Sequence, residues 1–530
     1  MKLKLGTRRS LLAWSQSSWV AREVERLNPG FEVELVGIET RGDRIQDVPL
    51  QSVEGKDFFV AELDEALKSG RVDFTVHSMK DLSLDRPEWL TLAAVPVRAD
   101  PRDVLIAAPD FAEKLPAGKN GGKNRDETVR IGTSSPRRLV NAKDFLLQAL
   151  PRSAADPERE PKIELVEMRG NVNTRLSRLR EPAASARQLD GVVLALAGLI
   201  RLHANEAARE ELAALLRCTR FMIFPLRESP AAPAQGALAV ECRAQDLRTR
   251  AALKALHHEL SFDQVDCERA VLREWGGGCH QRFGAASAHH PELGRMLYVR
   301  GFRPEGLFVE EVRWDSPVPP AGAVRGWDGV RERKRSTRER ERANSTIPRR
   351  DVLSSLPDLS GNTVFLSHSR ALPDDAGTLD DSRVWTSGPA SWKRLARRGI
   401  WVEGCAEETG FAGLKPLLAE PVLGLPKPIL VLTHECALAG WKGVAGTRAL
   451  ATYAAADEAL YAPQDIEKLK AATHVFWSSA SQYHALKKHA GEKIHQACPA
   501  GKTLEALSRA GVAVKAFPSV KEWRTWLEAK

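Results

Sequence analysis

The stretch VRIGTSSPRR, residues 129–138, passes from a strand pattern to a helix start within ten residues. Val129–Ile131 has the apolar character of a buried strand, and the next residues, GTSS, are typical of a turn. Proline is favoured in the first helical turn, where its missing N–H leaves no hydrogen bond unmade. The stretch therefore predicts a strand that leads directly into a helix over Pro136–Leu150.

The same alternation extends over the first 250 residues. Further strands are predicted at Lys2–Gly6, Val33–Ile38, Val72–Val76, Val104–Ala107, Ile163–Val166 and Val192–Leu196. Further helices are predicted at Leu11–Leu27 and Val60–Lys68. This pattern favours parallel, doubly wound α/β sheets, in which ligands bind at the carboxyl ends of the strands.

Residues 253–315 have a different pattern, which predicts a small α+β third domain. It opens with a helical segment, Leu253–Trp275, and continues through the glycine run GGGC to two strands, Leu297–Phe302 and Leu307–Trp314. Glycines ahead of a lone thiol, Cys279, indicate either a plain turn or room for a bulky group on the sulfur.

The formal net charge is +9, but nine Lys and Arg against three Glu in residues 331–350 account for +6 of it. This run, within the Pro/Gly-rich and basic segment 316–360, indicates a solvated linker and no nucleic-acid partner. No uninterrupted apolar stretch of about 18 residues occurs, so no membrane association and a cytoplasmic location are predicted. Seven scattered cysteines without a CxxC pair favour neither disulfides nor a metal site.

The tail, residues 361–530, returns to α/β alternation and contains a faint repeat. VWTSGPASWKRL (384–395) is similar to VFWSSASQYHAL (475–486). Each piece precedes a similar segment, GCAEETGFAGL (404–414) or ACPAGKTLEAL (497–507). The repeat predicts two alike α/β halves.

Basic clusters follow five of the predicted strands: GTRRS (6–10), HSMKD (77–81), GTSSPRR (132–138), RGN (169–171) and Arg201. A single cluster of this kind is explained as a helix N-cap, because hydroxyls at a helix start accept from its free N–H groups. Five clusters at strand ends indicate instead a polyanionic ligand in a cleft between two domains, since the arginine fork matches a carboxylate. Among these cations, the Asp81 carboxylate would stay ionised and steady a transient cation or an N–H donor.

Seven motifs occur in the order of a known family: TRRS (7–10), TRGD (40–43), HSMKD (77–81), GTSSxRR (132–138), RGNVxTRL (169–176), LAxAGLxRL (194–202) and GGC (277–279). With these motifs, residues 1–312 resemble hydroxymethylbilane synthase, also called porphobilinogen deaminase. The resemblance implies two domains similar to periplasmic binding proteins, residues 1–98 with about 236–252 and residues 99–235. It implies a third domain whose cysteine, by position Cys279, holds a dipyrromethane cofactor as a thioether.

The family reaction joins four molecules of porphobilinogen head to tail, releases ammonia and yields linear hydroxymethylbilane. By resemblance Asp81 is the catalytic residue, and Lys56 lies in a loop that closes over the site. The positions that would bind the carboxylates of cofactor and substrate are Arg8, Ser10, Lys80, Thr133, Ser134, Ser135, Arg137, Arg138, Arg169, Gly170, Arg175 and Arg201. A monomer without a metal is expected.

The chain departs from the family pattern at Ala61, where many members carry lysine, and at Ala234, where glycine is usual. The alternative from another class is a two-domain anion-binding or ligand-sensing protein without catalysis, because such proteins share the implied fold.

The tail resembles uroporphyrinogen-III synthase, through Trp385-Thr386-Ser387, Trp477-Ser478-Ser479 and the terminal stretch 503–527. That resemblance implies conversion of hydroxymethylbilane to uroporphyrinogen III. A degenerate, non-catalytic tail is the alternative. Tyr453 and Tyr483 would lie in a cleft on the first interpretation and pack as ordinary aromatics on the second.

Overall fold

The structure is a computed structural model that describes residues 1–40, 60–116, 127–276, 281–320, 324–329, 349–352, 356–373, 379, 381–407, 410–455 and 463–529. The chain forms two compact units. The first comprises Met1–Ala288, Leu297–Arg313 and Glu420–Leu423. The second comprises His289–Met296, Trp314–Ala419 and Gly424–Lys530.

The strands up to residue 314 are β1 (Lys2–Arg8), β2 (Glu32–Ile38), β3 (Phe74–Ser78), β4 (Leu90–Ala94), β5 (Asp103–Ala107), β6 (Val129–Gly132), β7 (Ile163–Val166), β8 (Gly191–Ala195), β9 (Arg220–Ile223), β10 (Leu238–Arg243), β11 (Phe283–His290), β12 (Gly294–Phe302) and β13 (Phe308–Trp314). The α-helices of the same part are α1 (Leu11–Leu27), α2 (Ala61–Lys68), α3 (Pro136–Ala149), α4 (Val172–Ser177), α5 (Leu196–Ala204), α6 (Glu206–Leu216), α7 (Leu247–Lys254) and α8 (Glu259–Glu274).

Two five-stranded sheets dominate the first unit, with strand orders β2-β1-β3-β10-β4 and β7-β6-β8-β5-β9. The prediction of all-parallel sheets is wrong, because β10 runs antiparallel to β3 and β4, and β5 runs antiparallel to β8 and β9. The chain enters the second sheet through β5 and returns to the first through β10. Each sheet therefore contains a strand supplied by a crossing segment, which reverses direction relative to its neighbours.

The first sheet buries one face against α1 and α7 in a core that includes Leu5, Val24, Phe74, Val240 and Leu253. The alternating exposed and buried residues of β1 explain why it forms a strand with one face on this core. The buried stripe of α1 recurs at helical spacing, and the helix begins at its cap Ser10.

A three-stranded sheet, in the order β11-β12-β13, follows helix α8. Trp275, Phe283 and Leu297 form part of a buried cluster there. The prediction of one continuous helix over Leu253–Trp275 is wrong. It is broken before Glu259, where the His258 side chain accepts from the amide of Ser261 and caps α8.

The strands of the second unit are β14 (Gly326–Trp327), β15 (Arg349–Asp351), β16 (Thr363–Leu366), β17 (Arg383–Thr386), β18 (Gly404–Cys405), β19 (Ile429–His434), β20 (Thr447–Ala455), β21 (His474–Phe476), β22 (His495–Pro499) and β23 (Lys515–Phe517). Its α-helices are α9 (Pro389–Ala396), α10 (Phe411–Leu418), α11 (Pro463–Lys470), α12 (Ala480–Leu486), α13 (Lys502–Arg509) and α14 (Val520–Glu528).

These strands form a six-stranded sheet, β15-β20-β19-β16-β17-β18, and a four-stranded sheet, β14-β21-β22-β23. The predicted linker 316–360 is too long, because β14 and β15 belong to these sheets. Strand β14 belongs to the fold because its Trp327 is buried, packs edge to face on Trp477 and donates to the carbonyl of Asp465. Among the described residues, no helix is both long and apolar enough to span a bilayer.

Candidate functional site

Strand β3 delivers Lys80 and Asp81 to a single turn of 3₁₀ helix, Met79–Asp81. The amide of Met79 donates to the carbonyl of Ala237 on the returning segment, 3.1 Å away. The Asp81 carboxylate is exposed, whereas Lys80 is partly buried and its Nζ donates to Oε1 of Gln235 over 3.3 Å. The turn therefore presents an anion to solvent and tethers a cation beside it.

Arg137 and Arg138, in the first turn of α3, both contact Asp103. Nη1 of Arg137 and Nη2 of Arg138 each lie 2.7 Å from a different oxygen of this carboxylate. Nη1 of each arginine also donates to a backbone carbonyl, that of Pro230 or that of Val193. The chain thus supplies one carboxylate to both arginines, while Nε of each is buried and has no hydrogen-bond partner among the described residues. Binding of a ligand carboxylate by Arg137 and Arg138 stays a prediction.

Asp103 is completely buried, and burial by itself would raise its pKa. The two guanidinium groups outweigh burial and hold the pKa of Asp103 well below its usual range. Burial lowers the pKa of Lys80, whose ammonium group also experiences the charges of Asp81, Arg138, Asp103 and Arg137. The fold thus brings Lys80 and Asp81 of the first sheet close to the ion cluster of the second.

Arg169 follows β7, and Arg175 lies on α4. Nε of Arg175 donates to the carbonyl of Gly170 over 2.8 Å. Burial, and then the charges of Arg138 and Arg169, lower the pKa of Arg175 to about 10. Nη2 of Arg169 is buried and has no hydrogen-bond partner among the described residues. Nε of Arg138 is likewise buried without a partner among the described residues. Three guanidinium groups, two of them with an unsatisfied N–H, are suited to an anion with more than one carboxylate.

Arg201, on α5, donates from Nη2 to the carbonyl of Gly236 over 2.6 Å. The same carbonyl accepts from the amide of Ala99. Burial lowers the pKa of Arg201 to about 10. Arg201 thus ties α5 to the returning segment at the carbonyl where the two crossing segments meet, so it is in part a structural residue.

The hydroxyl residues have simpler roles. Oγ of Ser10 accepts from the amide of Ala13 and caps α1, next to Arg8 at the end of β1. Ser135 occupies the cap position of α3 without a side-chain cap bond, which contradicts the predicted hydroxyl capping there. Oγ1 of Thr133 accepts instead from the amide of Ser135, over 3.4 Å, and Ser134 lies between them, partly exposed. Pro136 lies in the first turn, as predicted.

Sequence reasoning missed Gln235 and Glu268. Nε2 of Gln235 donates to Oδ1 of Asp103 and to the carbonyl of Pro101, while its Oε1 accepts from Lys80. Glu268 is fully buried and accepts from Arg98 and from the amide of Ala234. Local sequence gives no signal for either residue, because it does not show which distant groups their side chains contact.

A buried polar cluster behind the turn was also missed. Asp64, His77 and Glu241 place one possible metal-ligand atom each within 4.8 Å of one another. Arg86, however, lies 2.8 Å from both carboxylates, so the cluster is an ion-pair network. Burial, and then the charge of Arg86, lowers the pKa of His77 to about 4 and keeps this imidazole neutral.

Cys279 and Lys56 lie outside the described residues, as do Arg41 to Asp43 of the TRGD motif. Ala61 opens α2 in the described part of the chain. Ala234 has a φ of +65°, which explains why glycine suits this position.

Comparisons with known proteins identify the same part of the chain. A family model described as "Porphobilinogen deaminase, dipyromethane cofactor binding domain" matches residues 3–251. Porphobilinogen deaminase of Syntrophotalea carbinolica is 41% identical over 325 residues, covering 61% of this chain and 89% of that protein. The enzyme of Geobacter sulfurreducens is 38% identical, covering 57% of this chain and 81% of its own. That of Shouchella clausii is 40% identical, covering 53% and 78%.

Among solved structures, the methionine binding protein MetQ aligns with 51% of this chain and 94% of its own, at 11% identity and a TM-score of 0.24. The substrate binding protein of an amino acid ABC transporter aligns with 52% and 99%, at 11% identity and a TM-score of 0.21.

Proposed function

This chain belongs to the porphobilinogen deaminase family, and from that premise we propose that its first 315 residues are a hydroxymethylbilane synthase. The enzyme is a transferase that condenses four molecules of porphobilinogen and releases ammonia. The observation that carries the proposal is the cluster of Arg138, Arg169 and Arg175 beside the turn that bears Lys80 and Asp81.

A dipyrromethane fits this cluster, because it carries several carboxylates and Arg169 keeps a buried N–H without a partner among the described residues. Arg169 and Arg175 would hold those carboxylates, and Nε of Arg138, which is buried without a partner among the described residues, would be a further donor. Cys279 would attach the group as a thioether, since a thiolate is a strong nucleophile. When bound, the cofactor supplies the pyrrole carbon to which the first substrate is joined.

Asp81 is the residue that we propose as the catalytic carboxylate. It is exposed on a turn whose neighbouring groups are largely cationic, so it remains available to a ligand. Each condensation breaks a C–N bond with loss of ammonia. A C–C bond then forms to a free pyrrole carbon, and that carbon loses its proton. The carboxylate accepts from pyrrole N–H groups and offsets the positive charge that develops as ammonia leaves.

Lys80 and the arginines orient the substrate. The Lys80 ammonium is tethered to Gln235, and its environment includes the Asp103 ion cluster. Burial keeps these cations partly dehydrated, which strengthens their attraction to acetate and propionate groups. Closure by the loop that bears Lys56 would exclude further water.

The intact mass of the purified full-length chain tests the proposal. Wild type is expected to exceed its sequence mass by one dipyrromethane and to consume porphobilinogen. Cys279→Ser should lose both properties, whereas Cys218→Ser, which alters an exposed thiol, should lose neither. Wild-type protein at its bare sequence mass, without turnover, would favour the anion-binding alternative.

For the second unit we propose a uroporphyrinogen-III synthase, the activity that its sequence resembles. The support is the repeat: β17–α9 and β21–α12 carry one pair of similar segments, and β18–α10 and β22–α13 carry the other. In the first half β17 pairs in parallel with β18, and in the second half β21 pairs in parallel with β22. Tyr483 packs on Trp477 in a core, whereas Tyr453 lies against His434 at the end of β19.

The isomer made from porphobilinogen by the full chain tests this second activity. The type III ring is expected, because spontaneous closure of hydroxymethylbilane gives the type I ring. A product that is entirely type I would show a degenerate second unit and would leave the first activity intact. The cytoplasmic location, the monomeric state and the absence of nucleic-acid and membrane partners stay predictions.

A further inference from the structure

Arg269, on α8, holds the turn that carries Asp81. Its Nη1 donates to the carbonyls of Met79 and Leu82, over 3.2 and 3.0 Å, and its Nη2 donates to that of Ser83 over 2.8 Å. Met79 is the first residue of the 3₁₀ turn, and Leu82 and Ser83 directly follow the turn. A single guanidinium group, only 8% exposed, thus satisfies three acceptors of one short segment.

The surroundings of the turn make this contact important. A cavity of ≈ 190 Å³ lies behind it, lined by Met79, Leu82 and Arg269 among others. Close packing normally fixes a buried segment, but here part of that packing is missing. The hydrogen bonds from Arg269 are therefore a main restraint on this side of the turn.

Helix α8 is itself a rigid support. The preceding residue, Glu268, pairs with Arg98 and accepts from the amides of Ala234 and Ser287. Five residues after Arg269 the helix ends, at Glu274, shortly before Cys279 in the sequence. Arg269 therefore joins the segment with the proposed catalytic carboxylate to the helix that leads to the proposed cofactor attachment.

We propose that Arg269 is a positioning residue of the condensation reaction, which fixes the Asp81 turn against α8 through three backbone carbonyls. The inference rests on the proposed hydroxymethylbilane synthase activity. It adds a residue that touches neither substrate nor cofactor and acts through Asp81. A displacement of about 1 Å at a catalytic group lowers turnover by roughly a hundredfold.

Kinetics of Arg269→Ala and Arg269→Lys test the proposal. Turnover per cofactor-bearing molecule, with cofactor counted by intact mass, should fall by roughly a hundredfold in Arg269→Ala. The KM for porphobilinogen should change far less, because the cations that orient the substrate remain. Arg269→Lys, which restores some of the bonds, should be intermediate. Lys254→Ala removes an exposed cation of α7 that is not among the residues lining the cavity, and it should match wild type.

Chemical rescue separates positioning from a general effect on folding. Removing the Arg269 side chain enlarges a cavity that the guanidinium group already lines. Added methylguanidinium should enter it, donate to the three carbonyls and raise turnover of Arg269→Ala several-fold. The same additive should not activate wild type or Lys254→Ala.

The outcomes are distinct. Wild-type turnover in Arg269→Ala and Arg269→Lys would overturn the positioning role. So would loss of cofactor from both variants, or reduced turnover in Arg269→Ala that methylguanidinium does not raise. If wild type itself neither carried a cofactor nor consumed porphobilinogen, the proposed function would fail, which these variants could not mimic.

Discussion

Arg98 and Glu268 form a two-point ion pair, with N–O distances of 2.7 and 2.8 Å, although their side chains are only 4% and 0% exposed. Arg98 precedes β5 on the segment that crosses from the first sheet to the second, and Glu268 lies on α8. Nε of Arg98 also donates to the carbonyl of Gln235 on the returning segment. The pair therefore fastens both crossing segments to the helix of the third domain.

Glu268→Gln should destabilise the first unit strongly. The amide side chain leaves the Arg98 charge buried without a counter-charge, which typically costs about 3–5 kcal/mol. Urea unfolding, followed by far-UV circular dichroism, measures the loss. Glu259→Gln, an exposed change at the start of the same helix, should lie within about 0.5 kcal/mol of wild type. Equal stability of the two variants would show that the ion pair contributes little.

Asp81→Asn should retain the cofactor and lose turnover. The amide is nearly isosteric but cannot offset positive charge on the substrate, so kcat should fall by roughly 10²–10³-fold. Intact mass and the rate of porphobilinogen consumption provide the two readouts. Asp85→Asn, another exposed carboxylate four residues later, serves as the control and should keep normal kcat. A near-normal rate in Asp81→Asn would refute the assigned role.

Gly236→Ala should disrupt the junction of the crossing segments. Gly236 has a φ of +86°, and an added Cβ would overlap the carbonyl oxygen of Ala99. Gly30 has a φ of +88° with nothing within 4 Å of such a Cβ, so Gly30→Ala isolates the conformational cost of about 1–2 kcal/mol. Denaturant midpoints should show Gly236→Ala to be clearly the less stable variant. Matching losses would mean that the backbone shifts to accept the methyl group.

The buried imidazole of His77 predicts a pH dependence of stability. Its pKa is about 4 in the folded state, lowered by burial and by the Arg86 charge, against 6.5 for an unperturbed histidine. The unfolded state therefore binds more protons between these values, so stability falls as pH drops from 6.5 towards 4. The loss approaches about 3 kcal/mol at the lower limit.

His77→Gln should flatten this dependence. Glutamine does not titrate, so the difference in unfolding free energy between wild type and variant should narrow as pH falls from 7 to 4. His289→Gln, at an exposed position, should keep the wild-type slope. Parallel curves for wild type and His77→Gln would show that the imidazole does not resist protonation in the fold.

The sequence predicted most helices and strands of the first 250 residues within two residues, because apolar periodicity and caps are local. Helix α1 has the predicted bounds, Leu11–Leu27. Strands β4, β9 and β10 were missed. Their partners are distant in the chain, as the pairing of Leu238 with Ser78 shows.

The site was predicted in part. The motifs named Lys80, Asp81, Arg169 and Arg175, and the structure brings their charges into one region. They also named Arg137 and Arg138 as ligands of an external carboxylate, which stays a prediction, but they did not show that both groups contact Asp103. A motif records which residues are present, but an ion pair depends on a contact that local sequence does not encode.

The order of motifs and the alternation of strands and helices determined the family and the α/β class, because both are properties of neighbouring residues along the chain. The tertiary structure alone decided which charges are paired within the chain, since the environment of a buried charge is set by the groups that folding packs around it. Arg169 and Asp103 illustrate the difference: the first retains an unsatisfied N–H among the described residues, and the second receives two guanidinium groups.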